Sequence, residues 1–200
     1  MAIFVIENGK LTEVTESRTN KLIIRGAQMK YLNFSGKGSK YNAEGKRNFE
    51  IVLPEVPNEE EPTDTSGLVA SALYEAGWRV RKNGYDAKRD KRRTGDFDEN
   101  LEDCEYRLRI NVNLDSGNPP RCFKKTEKHM IPLDGKTVGS IDYSEIDNTY
   151  IEVNGYDANK NGQLSGYLKT IVVEVPDDMF EKLYGGCPIV GGEEDVPFDM

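Results

Sequence analysis

The chain has 200 residues, of which 36% are hydrophobic and 31% charged, and its formal net charge is −8. A chain of this length can bury a sizeable core, and no stretch reaches the roughly 20 apolar residues that span a bilayer. The N-terminus has neither the basic region nor the apolar length of a secretory signal, so we expect the protein to stay in the compartment where it is made.

Cysteine and histidine are scarce. Cys104, Cys122 and Cys187 are widely spaced and form no CxxC pair, which indicates reduced thiols rather than a disulfide framework. The one histidine is His129. A zinc site needs about four ligands at recognisable spacing, and these residues show none, so the sequence predicts no metal and no cofactor.

Charge is segregated along the chain. Residues 21–49 hold seven Lys and Arg against Glu44, and residues 78–93 hold eight against two aspartates. Residues 121–128 hold four against one glutamate, whereas carboxylates dominate residues 55–64 and 174–200. This separation predicts a cationic face and anionic ends. Solvated loops would explain any single basic run, but less well three runs that all contain aromatic residues.

Predicted strands, in chain order, are 22–29, 48–53, 78–82, 106–114, 121–124, 150–153 and 163–175. The strongest is 106–114, which alternates for nine residues with Tyr106 and Leu108 on one side and Arg107 and Arg109 on the other. Helical spacing predicts a helix over 65–76, a helical turn over 140–146 and a short helix over 177–184. The last two strands flank a loop rich in Asn and Gly, as in a hairpin.

These elements predict a β-rich (α+β) fold, either a small barrel or a strongly curved sheet, and an OB-fold-like small β-barrel with one main helix satisfies the pattern. We expect an N-terminal arm or strand at 1–20 and a main domain at 21–184. A basic loop is inserted at 83–100, and a flexible acidic tail occupies 185–200.

Two motifs favour simple structural interpretations. Residues 157–162 fit the first half of a calcium-binding EF-hand loop, but Leu168 stands where the bidentate glutamate is needed, so we predict a turn. No nucleophile elbow, phosphate-binding loop or HExxH motif is present, which predicts that the protein is not an enzyme.

Basic and aromatic residues are interleaved, which is typical of proteins that bind single-stranded DNA, since phosphates attract cations and exposed bases stack on aromatic rings. The candidate DNA-binding residues are Arg25, Tyr31, Phe34, Lys37, Lys40, Tyr41, Arg47, Trp78, Arg79, Arg81, Arg107, Arg109, Phe123 and Lys124. Phe49 and Tyr106 are instead predicted to be core residues, because each lies in an apolar alternation. For Trp78 both interpretations stay open.

The C-terminal tail carries a second signal. It joins Gly191 and Gly192 to an acidic patch that contains one aromatic residue. Such a tail can dock on a basic, apolar pocket of a partner, or it can compete with DNA for the chain's own cationic face. The candidate tail residues are Glu193, Glu194, Asp195, Pro197 and Phe198. An acidic tail that merely favours solubility is the alternative.

Several segments resemble bacteriophage-encoded single-stranded DNA-binding proteins: residues 21–26, 33–36, 41–49, 76–80, 137–142 and 166–170. The resemblance implies an OB-fold, no catalysis, and coating of single strands during phage DNA replication or recombination in the cytoplasm of the infected bacterium. Residues 193–198 are similar to the acidic tip of bacterial single-stranded DNA-binding proteins, which recruits replication and repair enzymes. Asp199 and Met200 depart from that tip, which puts recruitment of the same host partners in doubt.

Three alternatives stay open at this stage. The first alternative is a protein-interaction or virion-associated β-domain whose basic loops bind acidic proteins. The second is a binder of double-stranded nucleic acid or structured RNA that uses the basic run 88–93. An enzyme acting on nucleic acid has the least support. The sequence does not decide whether the chain forms a homodimer.

Overall fold

The computed structural model describes residues 2–7, 10–15, 19–53, 69–82, 85–86, 106–158 and 160–176. The carboxylate-rich residues 55–64, the insert at 83–100 apart from two residues, the helix predicted at 177–184 and the acidic tail lie outside these ranges. Within the ranges no helix is long and apolar enough to cross a membrane.

Strands make up most of the described chain. They are β1 (Ala2–Glu7), β2 (Lys10–Thr15), β3 (Asn20–Arg25), β4 (Met29–Asn33), β5 (Arg47–Val52), β6 (Val80–Lys82), β7 (Tyr85–Asp86), β8 (Tyr106–Val112), β9 (Arg121–Lys125), β10 (Met130–Leu133), β11 (Asn148–Tyr156) and β12 (Ser165–Glu174). The helices are α1 (Val69–Glu75) and the 3₁₀ helix η1 (Val138–Tyr143). The prediction of a β-rich fold is confirmed.

The strands form one branched sheet in the order β2-β1-β3-β11-β12-β8-β5-β4. On one edge β12 pairs with β11, and on the other it pairs in parallel first with β8 and then with β9. On β8, the edge opposite β5 is shared between β6 and β12. Among the described strands, β2 and β4 stand at the two ends of this order and do not pair with each other. Closure into an OB-fold barrel therefore stays a prediction.

Alternation on β8 places its side chains as predicted. Tyr106, Leu108, Ile110 and Val112 are buried in the core. Phe49 of the neighbouring β5 is fully buried as well, so the prediction that Phe49 and Tyr106 are core residues is confirmed. The opposite faces of β5 and β8 are thereby left for the side chains of the functional site.

The stretch 22–29, predicted as one strand, is two strands separated by a turn. Gly26 adopts a left-handed backbone with φ +66°, and its amide donates to the Thr149 carbonyl at 2.9 Å. Glycine adopts this conformation without a steric penalty, so β3 ends at Arg25 and β4 begins at Met29. Upstream, β1 pairs in parallel with β3 and buries Phe4 and Ile6, so residues 2–7 belong to the same sheet.

The hairpin predicted near residues 150–175 is confirmed as β11 and β12. Its loop is held as the predicted turn, because the Asp157 carboxylate accepts the amides of Asn161 at 3.1 Å and Gly162 at 2.8 Å. Leu168 is buried. The predicted helical turn is η1, which begins two residues earlier at Val138. Of the helix predicted at 65–76, the described part, α1, ends at Glu75.

Candidate functional site

A groove of about 750 Å³ lies on the side of β5 and β8 that faces away from the core. Its walls are β4, the Gly-rich loop at 34–46, the tip of β6 and η1. Six of the predicted DNA-binding residues line it: Tyr31, Lys37, Tyr41, Arg81, Arg107 and Arg109. The lining also includes four residues that were not predicted from the sequence and that shape the groove: Asn42, Glu50, Asp142 and Tyr143.

Three tyrosines rim the groove with their rings in solvent. Tyr31 is 64% exposed, Tyr41 78% and Tyr143 68%. Exposed rings contribute little to packing within the chain itself, so an exposed set of this kind indicates a binding surface. Exposed aromatic faces around a basic groove are suited to stacking unpaired bases.

Tyr31 is aimed into the groove by an irregularity in β4. The pairing of β4 with β5 shifts register between Lys30 and Asn33, and Tyr31 has a positive φ of 53°. Bulges redirect side chains, and a non-glycine residue in the left-handed region carries strain that the surrounding structure must offset. One such contact is the Arg107 guanidinium, which lies 5.0 Å from the centre of the Tyr31 ring.

Hydrogen bonds hold the Gly-rich loop at its base and at its tip. At its base, the Gly45 amide donates to the Gly36 carbonyl at 2.9 Å. At its tip, the Asn42 side-chain oxygen accepts from Arg109 at 2.8 Å and from the Asn48 amide group at 3.0 Å. These bonds hold the tip against the floor of the groove while Tyr41 points outward.

Two of the exposed lysines of the loop lie beside tyrosine rings. The ammonium group of Lys40 lies 4.8 Å from the centre of the Tyr41 ring. The Lys37 ammonium donates to the Tyr143 hydroxyl at 2.5 Å. That hydrogen bond raises the pKa of Lys37 above its usual value. Each lysine therefore places a cation beside a tyrosine ring.

The 3₁₀ helix η1 is tied to the start of the loop. The Asp142 carboxylate accepts the backbone amides of Phe34 at 2.7 Å and Ser35 at 2.9 Å. The close approach leaves little room, since a Cβ atom on Gly139 would lie 3.1 Å from the Ser35 side chain. Tyr143 was missed because no basic residue stands beside it in sequence. The one signal was its place directly after the 137–142 segment.

The floor of the groove is an ion-paired cluster centred on Glu50. Its carboxylate accepts from Arg107 at 3.0 Å and from Arg81 at 3.4 Å. Glu50 and Arg107 are both buried. The structure therefore places Arg107 within the floor, where its guanidinium supports Tyr31, and not at the surface as an open phosphate contact.

Besides Arg107, the structure corrects the prediction for three candidates, because their side chains are buried. Phe34 stacks on Phe49 with ring centres 5.1 Å apart, and it is fully buried. Trp78 is 1% exposed, and its ring packs so tightly on the backbone at Gly155 that a Cβ atom there would lie 2.9 Å away. Neither ring can stack on a base in this conformation.

Lys124 is the third correction. Burial lowers its pKa, and its ammonium donates to the Ser140 carbonyl at 3.2 Å. The side chain is 1% exposed and so cannot reach a phosphate. Its predicted role as a phosphate contact gives way to a structural role, in which it joins β9 to η1.

The remaining candidates do not line the groove. Arg25 lies on β3 beside Glu7, at 3.7 Å, and over the Tyr150 ring. Arg47 is half-buried and donates to the Phe34 carbonyl at 2.9 Å, which supports the loop. Arg79 is half-buried on the approach to β6, and Phe123 is half-buried on β9. Lys40 projects from the loop beside the groove.

Metal and thiol chemistry have no visible support in the part of the chain that is described. No group of three or more His, Cys, Asp or Glu residues there is arranged to hold a metal ion. Cys122 is buried, and burial raises the pKa of its thiol to about 12, so it stays protonated.

A family model described as "Putative phage ssDNA-binding domain" matches residues 11–197. Because the match spans most of the 200 residues, the chain belongs to this family of phage single-stranded DNA-binding domains. Both the resemblance stated from the sequence segments and the prediction of single-stranded DNA binding are confirmed.

Among solved structures, the chain is similar to a single-stranded DNA-binding protein from bacteriophage Enc34, solved as a C-terminal truncation. The two are 10% identical, the match covers 78% of this chain and 86% of that chain, and the TM-score is 0.39. No curated protein matches this chain.

Proposed function

We propose that single-stranded DNA lies in the groove between the Gly-rich loop, η1 and β8, and that the protein acts on it by binding, without catalysis. The observation that carries this proposal is the rim of three exposed tyrosines, two of which lie beside lysines. Bases stack on Tyr41, Tyr143 and Tyr31. Such stacking needs no sequence readout, so binding is tolerant of sequence.

Phosphates are contacted by the cations at the mouth of the groove. Lys37 and Lys40 are exposed and lie beside the rings, so a base stacked there brings its phosphate close to an ammonium group. Arg81 and Arg109 line the groove more deeply and extend the positive potential along its floor. Glu50 and Arg107 position these groups.

Replacing Tyr41 or Tyr143 with alanine tests the proposal. Each change is expected to weaken binding to a short oligothymidine of about eight nucleotides by roughly 1–3 kcal/mol, the usual contribution of a stacked base. The measurement is fluorescence anisotropy of the labelled oligonucleotide. Tyr150→Ala is the matched control, because this tyrosine lies on β11 away from the groove.

Unchanged affinity in both variants, with unfolding curves that match the parent protein, would refute the stacking assignment. Competition separates the rival functions in the same assay. Heparin that competes as well as single strands would favour an acidic-protein partner. Duplex that competes equally would favour a binder of double-stranded or structured nucleic acid.

The proposal extends to the biological setting and to the acidic tail. The protein coats single strands during phage DNA replication or recombination in the host cytoplasm, and residues 193–198 recruit phage or host proteins or compete with DNA for the groove. Support comes from the family and from the tail's composition. Deleting residues 191–200 is expected to raise DNA affinity. Unchanged affinity would defeat competition and leave recruitment, which a pull-down with the tail peptide tests.

Oligomeric state completes the proposal. A homodimer would offer two grooves to one strand, and sedimentation equilibrium with and without a long oligonucleotide tests it. A single monomeric species under both conditions would contradict the dimer.

A further inference from the structure

The face that forms the groove floor continues beyond β8 onto β12 and β11. In the parallel pairing of β12 with β8, Tyr167 lies opposite Asn111, which alternates with Arg109 along β8. In the next pairing, Tyr156 of β11 lies opposite Ser165 of β12. Residues opposite each other in a sheet share a face. Tyr156 and Tyr167 therefore stand on the same side of the sheet as the groove residue Arg109.

Two glycines give an independent check of this orientation. A Cβ atom on Gly155 would meet the buried Trp78 ring at 2.9 Å, and one on Gly166 would meet the buried Ile110 side chain at 2.8 Å. Both positions thus face the core. Since successive side chains of a strand point to opposite faces, the following residues, Tyr156 and Tyr167, point away from it.

The two tyrosines form an ordered pair. Their ring centres are 6.5 Å apart with an interplanar angle of 71°, an edge-to-face contact. Tyr156 is 64% exposed, whereas Tyr167 is half-buried beneath it. Edge-to-face packing favours a fixed ring orientation. Tyr156 is therefore a supported ring whose face remains in water.

Between the groove and this pair, the sheet carries the polar Asn111, and the basic Arg79 lies beside the start of β12. The Asn111 side chain donates to the Gly166 carbonyl at 3.1 Å, which joins β8 to β12 in the middle of the path. Arg79 follows the buried Trp78, and its amide donates to the Leu164 carbonyl at 3.0 Å beside the start of β12. Asp157, the residue after Tyr156, accepts two backbone amides of its own turn.

We propose that Tyr156, supported by Tyr167, is a second stacking site for the strand of DNA that leaves the groove across β8. The inference rests on the proposed function and extends it, because it gives the path a direction and a second anchor. Two strand spacings, about 10 Å, separate β8 from β11. The ligand is an unpaired base of any type, since a tyrosine face does not read base edges.

The test compares two oligothymidines, one of about eight nucleotides and one of about thirty, because only the longer strand is expected to occupy both sites. Tyr156→Ala is expected to weaken binding of the longer strand roughly 5-fold or more and to leave the shorter one unchanged. Tyr156→Phe keeps the ring and is expected to bind like the parent.

Photocrosslinking provides a readout on the unaltered protein. Thirty-base strands that carry bromodeoxyuridine are expected to crosslink to the peptide containing Tyr156, and the short strand is not. Equal effects of Tyr156→Ala on both lengths, no effect on either, or no crosslink at this peptide would overturn the second site. If Tyr41→Ala and Tyr143→Ala leave the short strand unaffected, the proposed function itself has failed.

Discussion

At the residue scale, burial decides which aromatic and basic side chains are available to DNA. Tyr41 and Trp78 both stand beside basic residues in the sequence, yet one ring is 78% exposed and the other 1%. The difference lies in tertiary packing, because the Trp78 ring covers the backbone of Gly155 on β11, far away in sequence. Local composition therefore identifies a basic and aromatic segment, but not the ring that a base would meet.

Glu50 shows the same principle for charge. This carboxylate is buried with two arginines as ion-pair partners, and removing one partner of a buried pair leaves an uncompensated charge. Glu50→Ala is expected to lower the free energy of unfolding by roughly 3–5 kcal/mol. Glu7→Ala, which removes an exposed partner of Arg25, is expected to cost less than about 1 kcal/mol. Urea unfolding of both variants checks the contrast, and equal losses would contradict it.

At the element scale, the groove depends on a loop that is shaped by its own backbone. Both Gly36 and Gly45 have left-handed backbones, with φ +72° and +77°, and a hydrogen bond joins them across the base of the loop. Side-chain bonds from Asn42 and Asp142 then fix the loop to the sheet and to η1. Of the three tyrosines, Tyr41 is positioned by this loop alone, whereas Tyr31 stands on β4 and Tyr143 at the end of η1.

The two glycines provide a matched pair of substitutions. Alanine at either position introduces backbone strain of roughly 1–3 kcal/mol. At Gly36 the new Cβ would also lie 3.2 Å from the Arg47 side chain and 3.4 Å from Gly45, whereas at Gly45 nothing lies within 4 Å. Gly36→Ala is therefore expected to destabilise the protein more than Gly45→Ala and to weaken DNA binding more. Thermal unfolding and anisotropy measure the two effects, and a larger effect at Gly45 would contradict the steric argument.

At the scale of the whole molecule, a chain with a net charge of −8 must bind a polyanion through a local cationic surface. In the proposed function the groove provides that surface, because Lys37, Arg81 and Arg109 line it and Lys40 stands at its edge. Binding through phosphate contacts releases counterions, so affinity falls with salt in proportion to the number of contacts.

Lys40→Gln is expected to reduce the slope of log affinity against log salt by about 0.7, the value for one phosphate contact on a single strand. Lys10→Gln on β2, at the opposite end of the strand order from β4, is expected to leave the slope unchanged. Anisotropy titrations over a range of salt concentrations measure both slopes. A slope that does not change in Lys40→Gln would remove this lysine from the site.

The sequence by itself determined the elements whose patterns are local. Alternation along β8 is a consequence of the two-residue period of a strand, so it predicted both the buried face and the polar face. The β11–β12 hairpin and the basic Gly-rich loop were also predicted, because turn residues and basic runs are local features of the sequence. Family-like segments in the right order were sufficient to indicate single-stranded DNA binding.

Only the tertiary structure decided which of the predicted residues share a surface. The burial of Trp78 and Lys124, the recruitment of Tyr143 to the groove and the pairing of β12 with both β8 and β9 depend on contacts between segments far apart in the chain. Such contacts result from packing and chain topology, which neither composition nor periodicity encodes locally.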